Sequence, residues 1–152
     1  MSPDAYMFIT AMFALVVKHW VADFYWQTER HLNKFSLDRT TQAIALADHC
    51  AVHAVCTIVA LGFVFAYWIP TSDMLPEFFV IMTLGLAAVD AIFHYAIDYA
   101  KVELSRALSP KDRQFWLHLG ADQTAHMLTY MLISWLATAG MIIATIQIGI
   151  LG

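Results

Sequence analysis

Charge is scarce in this chain. Only 13% of its 152 residues are Asp, Glu, Lys or Arg, against about 25% in a typical soluble domain. A water-soluble surface cannot be built from so little, and 61% of the residues are hydrophobic. Both departures point to a bilayer, and the length fits one domain, residues 1–152. Basic residues are fewer than acidic ones, 8 against 12. No basic stripe is present, which argues against a nucleic-acid partner. Cysteine is nearly absent. Cys50 and Cys56 are the only two, and they stand in one apolar run, too far apart along a straight helix to be bridged. Both are read as free thiols. No Lys or Arg precedes Lys18, so the positive n-region of a cleavable signal is missing. The N-terminal apolar run is instead read as a membrane span.

Four such runs are present, at about 6–26, 46–69, 76–101 and 121–150. Each can cross a hydrocarbon core, which takes roughly 20 residues. Uninterrupted helix is expected there, because lipid offers no partner to free backbone groups. The expected fold is therefore all-α, a four-span antiparallel bundle. Seven of the eight basic residues, all but Lys18, belong to the connections at 27–45 and 102–120 or their edges. The positive-inside rule makes that side cytoplasmic, with both termini outward, in an inner (cytoplasmic) membrane. Ser36 is expected to cap the helix entering the second span. Ser109, Pro110 and Asp112 read as the start of an interfacial helix carrying Phe115, Trp116 and Leu119, with Gly120 turning the chain into the fourth span. Tyr25, Trp26, Tyr67 and Trp68 read as interface anchors.

Ionisable residues inside spans are costly and usually face a bundle interior or a wet cavity. Here they recur by helical turns. The first span has His19, Asp23 and Gln27. The second has His49, His53 and Cys56, with Asp48 alongside. The third has Asp90, His94, Asp98 and Lys101. The fourth has Asp122, His126 and Tyr130. Residues four apart are neighbours on a helix, so each span presents a polar stripe. With alternating directions all four stripes fall at one depth, near the cytoplasmic face. His19-xxx-Asp23 and His94-xxx-Asp98 also repeat, each followed about thirty residues later by a second His/Asp cluster. The chain reads as two related helical hairpins about a pseudo-two-fold axis.

Imidazole and carboxylate together suit zinc, manganese or iron, and bundle cores hold one or two such ions on helix-borne ligands. Metal ligands are expected from His19, Asp23, His49, His94, Asp98, Asp122 and His126. Asp23 or Asp122 is a candidate general base, and Lys101 and Lys34 are candidates for holding an anionic group. His53 and Asp90 are expected to orient ligands. His31 and His118 are expected in solvent, and Lys18 to snorkel or pair with an acid.

His19-xxx-Asp23-Phe24-xx-Gln27, Lys34, His49, His94-xxx-Asp98-xx-Lys101 and Asp122-Gln123-xx-His126 together resemble a domain-of-unknown-function family of small bacterial and phage membrane proteins. The resemblance implies roles for Gln27, Lys34 and Gln123. More loosely, the set is similar to membrane-bound metal-dependent hydrolases. The expectation is a membrane-embedded metal-binding protein, in one reading a hydrolase acting on a phosphoester or other anionic small molecule or lipid head group. The alternatives are a phage-type membrane interaction module without enzymatic activity, and an ion- or proton-conducting network. The partners expected are the lipid bilayer and, for a bundle with short loops, a homo-oligomer.

Overall fold

A computed structural model describes residues 1–68 and 74–151, which contain helices and turns and no strand. The expected connection at 70–75 and the end of the second run at Ile69-Pro70 lie mostly outside these residues. Helix α1 spans Pro3–Trp20 and continues as a π-helical turn, Val21–Tyr25. Ser2 Oγ accepts the Ala5 N–H at its start, and Pro3 occupies the first turn, where no intrahelical N–H is needed. A short helix α2 (Glu29–Leu32) and a 3-10 turn (Asn33–Phe35) follow. Long helices α3 (Arg39–Trp68), α4 (Pro76–Ser105) and α5 (Arg113–Leu151) complete the chain. Four helices are long and apolar enough to cross a membrane. At about 1.5 Å per residue, the 30 residues of α3 and of α4 reach beyond a hydrocarbon core of about 30 Å.

Several expectations need correction. The first span is not uninterrupted α-helix. The Trp26 N–H bonds to the Val21 carbonyl 2.8 Å away, five residues back, which makes the π turn. Ser36 does not cap α3. Asp38 does, because it stands directly before the first helical residue, and its Oδ2 accepts both the N–H and the hydroxyl of Thr41, at 2.8 and 2.6 Å. Gly120 is no turn. Helix α5 runs through it, since a glycine costs a helix interior only about 1 kcal/mol relative to alanine. Phe115 and Trp116 therefore sit on an extension of the fourth span rather than on a separate interfacial helix. Ser109, Pro110 and Asp112 do not open a helix, which begins at Arg113; they form a turn before it, with the Ser109 N–H bonded to Asp112 Oδ2 at 2.7 Å.

α1 and α4 each pack against both α3 and α5, so the two hairpins α1/α3 and α4/α5 close a four-cornered bundle. Its interior is divided along its length. In one half, Met7, Ala11, Leu15, Leu61, Phe65, Phe79, Ile133 and Ala137 form an apolar core. In the other, His49, His53, His94, Asp98 and His126 are equally buried, all at 0–1% exposure. The outer surface is hydrocarbon-like, with Phe13, Phe63 and Ile81 each at least 70% exposed. Such side chains gain nothing by turning inward when the solvent is lipid.

Candidate metal centre

The polar half is assembled by the spacing of the helices themselves. On α1, Lys18 and His19 close the last α-helical turn, and the π turn carries Asp23 inward at 9% exposure. π turns of this kind are common at functional sites. The Asp23 carboxylate collects three imidazoles. His49 and His53 approach Oδ1 at 2.9 and 3.2 Å, and His19 Nε2 approaches Oδ2 at 3.2 Å. The second hairpin mirrors this with wider spacing. His94 Nε2 is 3.9 Å from Asp98 Oδ2, and His126 Nε2 is 3.6 Å from Asp98 Oδ1 and 3.5 Å from Asp122 Oδ1. The rings of His53, His94 and His126 stack in a column, with centroids 3.6 and 4.2 Å apart.

Every other buried carboxylate has its own ammonium. Lys34 meets Asp98 Oδ2 at 2.7 Å, Lys101 meets Asp122 Oδ2 at 2.6 Å, and Lys18 meets Asp90 Oδ2 at 2.6 Å. Lys34 reaches Asp98 because the segment Glu29–Phe35 folds under the end of the bundle and is itself buried at His31 and Lys34. His31 thus departs from the expected solvated position. Its Nδ1 accepts the Thr28 N–H at 3.3 Å, which closes the start of α2, and burial pushes its imidazole pKa below the ordinary value. His118 is half-buried and bonds to Ser105 Oγ at 3.1 Å.

Of the residues singled out in the sequence, His19, Asp23, His49, His53, His94, Asp98, Asp122 and His126 meet in this one cluster. Lys34 and Lys101 reach it through carboxylates, so their ammonium groups are already paired. Gln123 accepts from His19 Nε2 at 3.2 Å and donates to Asp122 Oδ2 at 3.0 Å. Asp90 was expected to orient a histidine. It instead lies a layer deeper and takes Lys18 and the Thr57 hydroxyl, both at 2.6 Å. Gln27 falls beyond the π turn, where the chain leaves the helix, and has no polar contact with the cluster among the described residues. Cys56 turns away with the Lys18 stem to line an apolar groove of about 560 Å³ between α1 and α3. Cys50 and Cys56 are both free thiols. Sequence reasoning missed Thr57 altogether and did not find which acid Lys18 meets, since a lone threonine and a lone lysine give no periodic signal.

The donor set fits a metal ion. Three groups offer ligand atoms within 4.8 Å of one another: Asp23, His49, His53 and His94; His19, His94 and His126; and Asp98, Asp122 and His126. Several buried atoms here lack a hydrogen-bond partner among the described residues: both ring nitrogens of His94, Nε2 of His126 and Oδ1 of Asp122. Buried polar atoms are normally satisfied by protein or ordered water, so these atoms have ligand capacity that the hydrogen bonds of the described residues do not use.

The family model described as "Protein of unknown function (DUF3307)" matches residues 11–149. The chain belongs to this family. The match takes in every residue of the cluster, from Lys18 to Tyr130, and agrees with the resemblance read from the motifs. No curated protein and no solved structure gave a match. What the cluster does is therefore argued from its geometry.

Proposed function

We propose that the protein is a membrane-embedded metal-binding protein whose ion serves hydrolysis of an anionic ester, most naturally a phosphoester. The observation that carries this reading is His94. It is 1% exposed, belongs to two of the three groups of ligand geometry, and has both ring nitrogens without a hydrogen-bond partner among the described residues. An imidazole buried in that way is poor as structure and good as a ligand.

Charge supports an anionic substrate. The buried cluster holds four carboxylates, Asp23, Asp90, Asp98 and Asp122, and three ammonium groups, Lys18, Lys34 and Lys101. With neutral histidines the sum is −1, and a divalent ion makes it +1. A net charge inside a bilayer is costly, and a bound anion cancels it. When bound, the ion supplies Lewis acidity and a lowered pKa for a coordinated water. The chain's own groups do the rest. Lys101, seated on Asp122 Oδ2, is placed to offset charge on the substrate, and the Glu29–Phe35 segment to exclude water. The α1/α3 groove, lined in part by Val21 and Trp26, ends on the π turn that carries Asp23. This favours a lipid head group over a soluble ester. In this reading the cluster lies toward the cytoplasmic face with both termini outward, which the positive-inside rule supports through the basic connections.

The test is elemental analysis of chelator-free purified protein, followed by assay on phospholipid head-group esters. About stoichiometric zinc, manganese or iron is expected, with hydrolysis abolished by chelation and restored by the ion. Protein that carries no metal and is not stabilised thermally by any of the three would sink the proposal. A second reading, proton conduction, draws support from Lys18, Asp90 and Thr57, which extend the polar chain deeper into the bundle. Proton flux into liposomes, independent of metal, would favour it instead.

A further inference from the structure

We infer that one ion is held by the second hairpin alone, on Asp98 Oδ1, Asp122 Oδ1, His126 Nε2 and His94, and that the first hairpin is its hydrogen-bonded wall. This rests on the metal-binding reading above and narrows it to a ligand set and a count.

The two hairpins carry the same residue types but differ in spacing. Around Asp23 the nitrogen–oxygen distances are 2.9, 3.2 and 3.2 Å, which is the range of N–H···O bonds, about 2.7–3.2 Å. Around His126 they are 3.5 and 3.6 Å, too long for that. Ligand atoms about 2.1 Å from one tetrahedral ion stand roughly 3.4 Å apart. The second hairpin therefore has ligand spacing and the first has hydrogen-bond spacing.

Proton placement separates them again. An ammonium group has donors only, so Lys18 Nζ, 3.3 Å from His53 Nδ1, makes that nitrogen an acceptor. The neutral ring then carries its proton on Nε2, directed at Asp23. His19 Nε2 faces two acceptors, Gln123 Oε1 and Asp23 Oδ2, both at 3.2 Å, so the neutral ring carries its proton there and Nδ1 accepts from the Tyr130 hydroxyl at 2.9 Å. Neither His19 nor His53 keeps a lone pair aimed into the cluster. Asp23 is accordingly filled by N–H donors.

In the second hairpin the supporting groups stand aside. Lys34 and Lys101 both take Oδ2 of their carboxylates, and His126 faces the two Oδ1 atoms. Asp122 Oδ1, His126 Nε2 and both His94 nitrogens have no hydrogen-bond partner among the described residues, against His49 Nδ1 alone in the first hairpin's part of the cluster. Asp98, Asp122 and His126 form one ligand group, and His94 stands beside it in a second group with His126 and His19; His94 is the fourth ligand the ion would draw in, giving a two-histidine, two-carboxylate set. That set suits zinc, manganese or iron.

The experiment uses full-length protein in detergent, loaded with zinc alone. X-ray absorption on unmutated protein should show one equivalent of zinc with two imidazoles and two carboxylate oxygens. Asp122→Asn and His126→Gln should weaken zinc binding by about tenfold or more, while Asp23→Asn should keep its one equivalent. Three imidazoles in the shell, two equivalents of zinc, or loss of zinc on Asp23→Asn with retention on Asp122→Asn would each overturn the assignment and leave metal binding standing. Absence of any bound zinc, manganese or iron would remove both. The absorption measurement needs no variant, so misfolding of a mutant cannot protect the idea.

Discussion

Lys18 is 5% exposed inside the bundle, with Asp90 2.6 Å away and the Tyr130 ring 4.8 Å beneath its ammonium. Removing one member of such a pair leaves the other buried and uncompensated, at a cost of about 3–5 kcal/mol. Lys18→Met is expected to lower the thermal unfolding midpoint sharply in detergent. The double change Lys18→Met with Asp90→Leu should recover most of the loss, because two apolar side chains fill a bundle interior as well as an ion pair does. A double variant no more stable than the single one would show that the pair is not acting as a unit. At this scale the sequence was legible where residues recur at four-residue spacing and opaque where they do not. His94 and Asp98, or Asp122 and His126, announce a shared face by position alone. Lys18 with Asp90 joins residues 72 apart in sequence, and no local pattern encodes that. His31 looked like a loop residue and is buried, because a connection that folds back under a bundle reads the same as one that stays in solvent.

The start of α3 is set by Asp38. Its carboxyl pKa is held below the ordinary carboxylate value by the Thr41 hydroxyl and N–H, which favour the charged form. A carboxyl with a lowered folded pKa contributes stability that is present above its unfolded value, about 3.9, and lost as pH falls through the folded one. Amide hydrogen exchange across residues 39–42 should therefore be faster in Asp38→Ala than in the unchanged protein at neutral pH. The gap should close on acidification below about pH 4. A gap independent of pH would mean that the carboxylate is not the cap. Among the elements, the four long helices were legible because apolar runs of this length have few alternatives in lipid. Their ends were less so. Ser36 and Asp38 are both good capping types, and only the helix start at Arg39 decides between them. The π turn was not legible at all, since nothing in Val21–Tyr25 differs in composition from ordinary helix. What it does is visible only in the fold, where it carries Asp23 to three imidazoles.

The whole molecule is a bundle with an apolar half and an ionisable half, and the asymmetry of its connections proposes how it sits. Basic residues gather at the ends of α3, α4 and α5 nearest the polar half. With Ser2→Cys and Ser109→Cys, both at exposed positions, a membrane-impermeant maleimide should label Cys at 2 from outside and Cys at 109 only after permeabilisation. The reverse pattern would invert the proposed orientation and put the cluster toward the opposite face. The meeting of eight histidines and aspartates at one level was legible because helix direction alternates and each stripe keeps its register. The unequal filling of the two hairpins was not, because it depends on which oxygen each lysine takes.

Synthesis order gives the Lys18–Asp90 pair another consequence. The first helix leaves the ribosome carrying Lys18, His19 and Asp23, while Asp90 follows 72 residues later and Tyr130 lies 111 residues beyond His19. A lysine at a helix centre costs insertion about 2.5–3.5 kcal/mol, and Lys18, in the last α-helical turn of α1, bears only a part of that. The span that carries Lys18 is thus made before the groups that satisfy it. Until the third span is made Lys18 has no Asp90 to pair with, and its side chain can reach back toward the membrane interface.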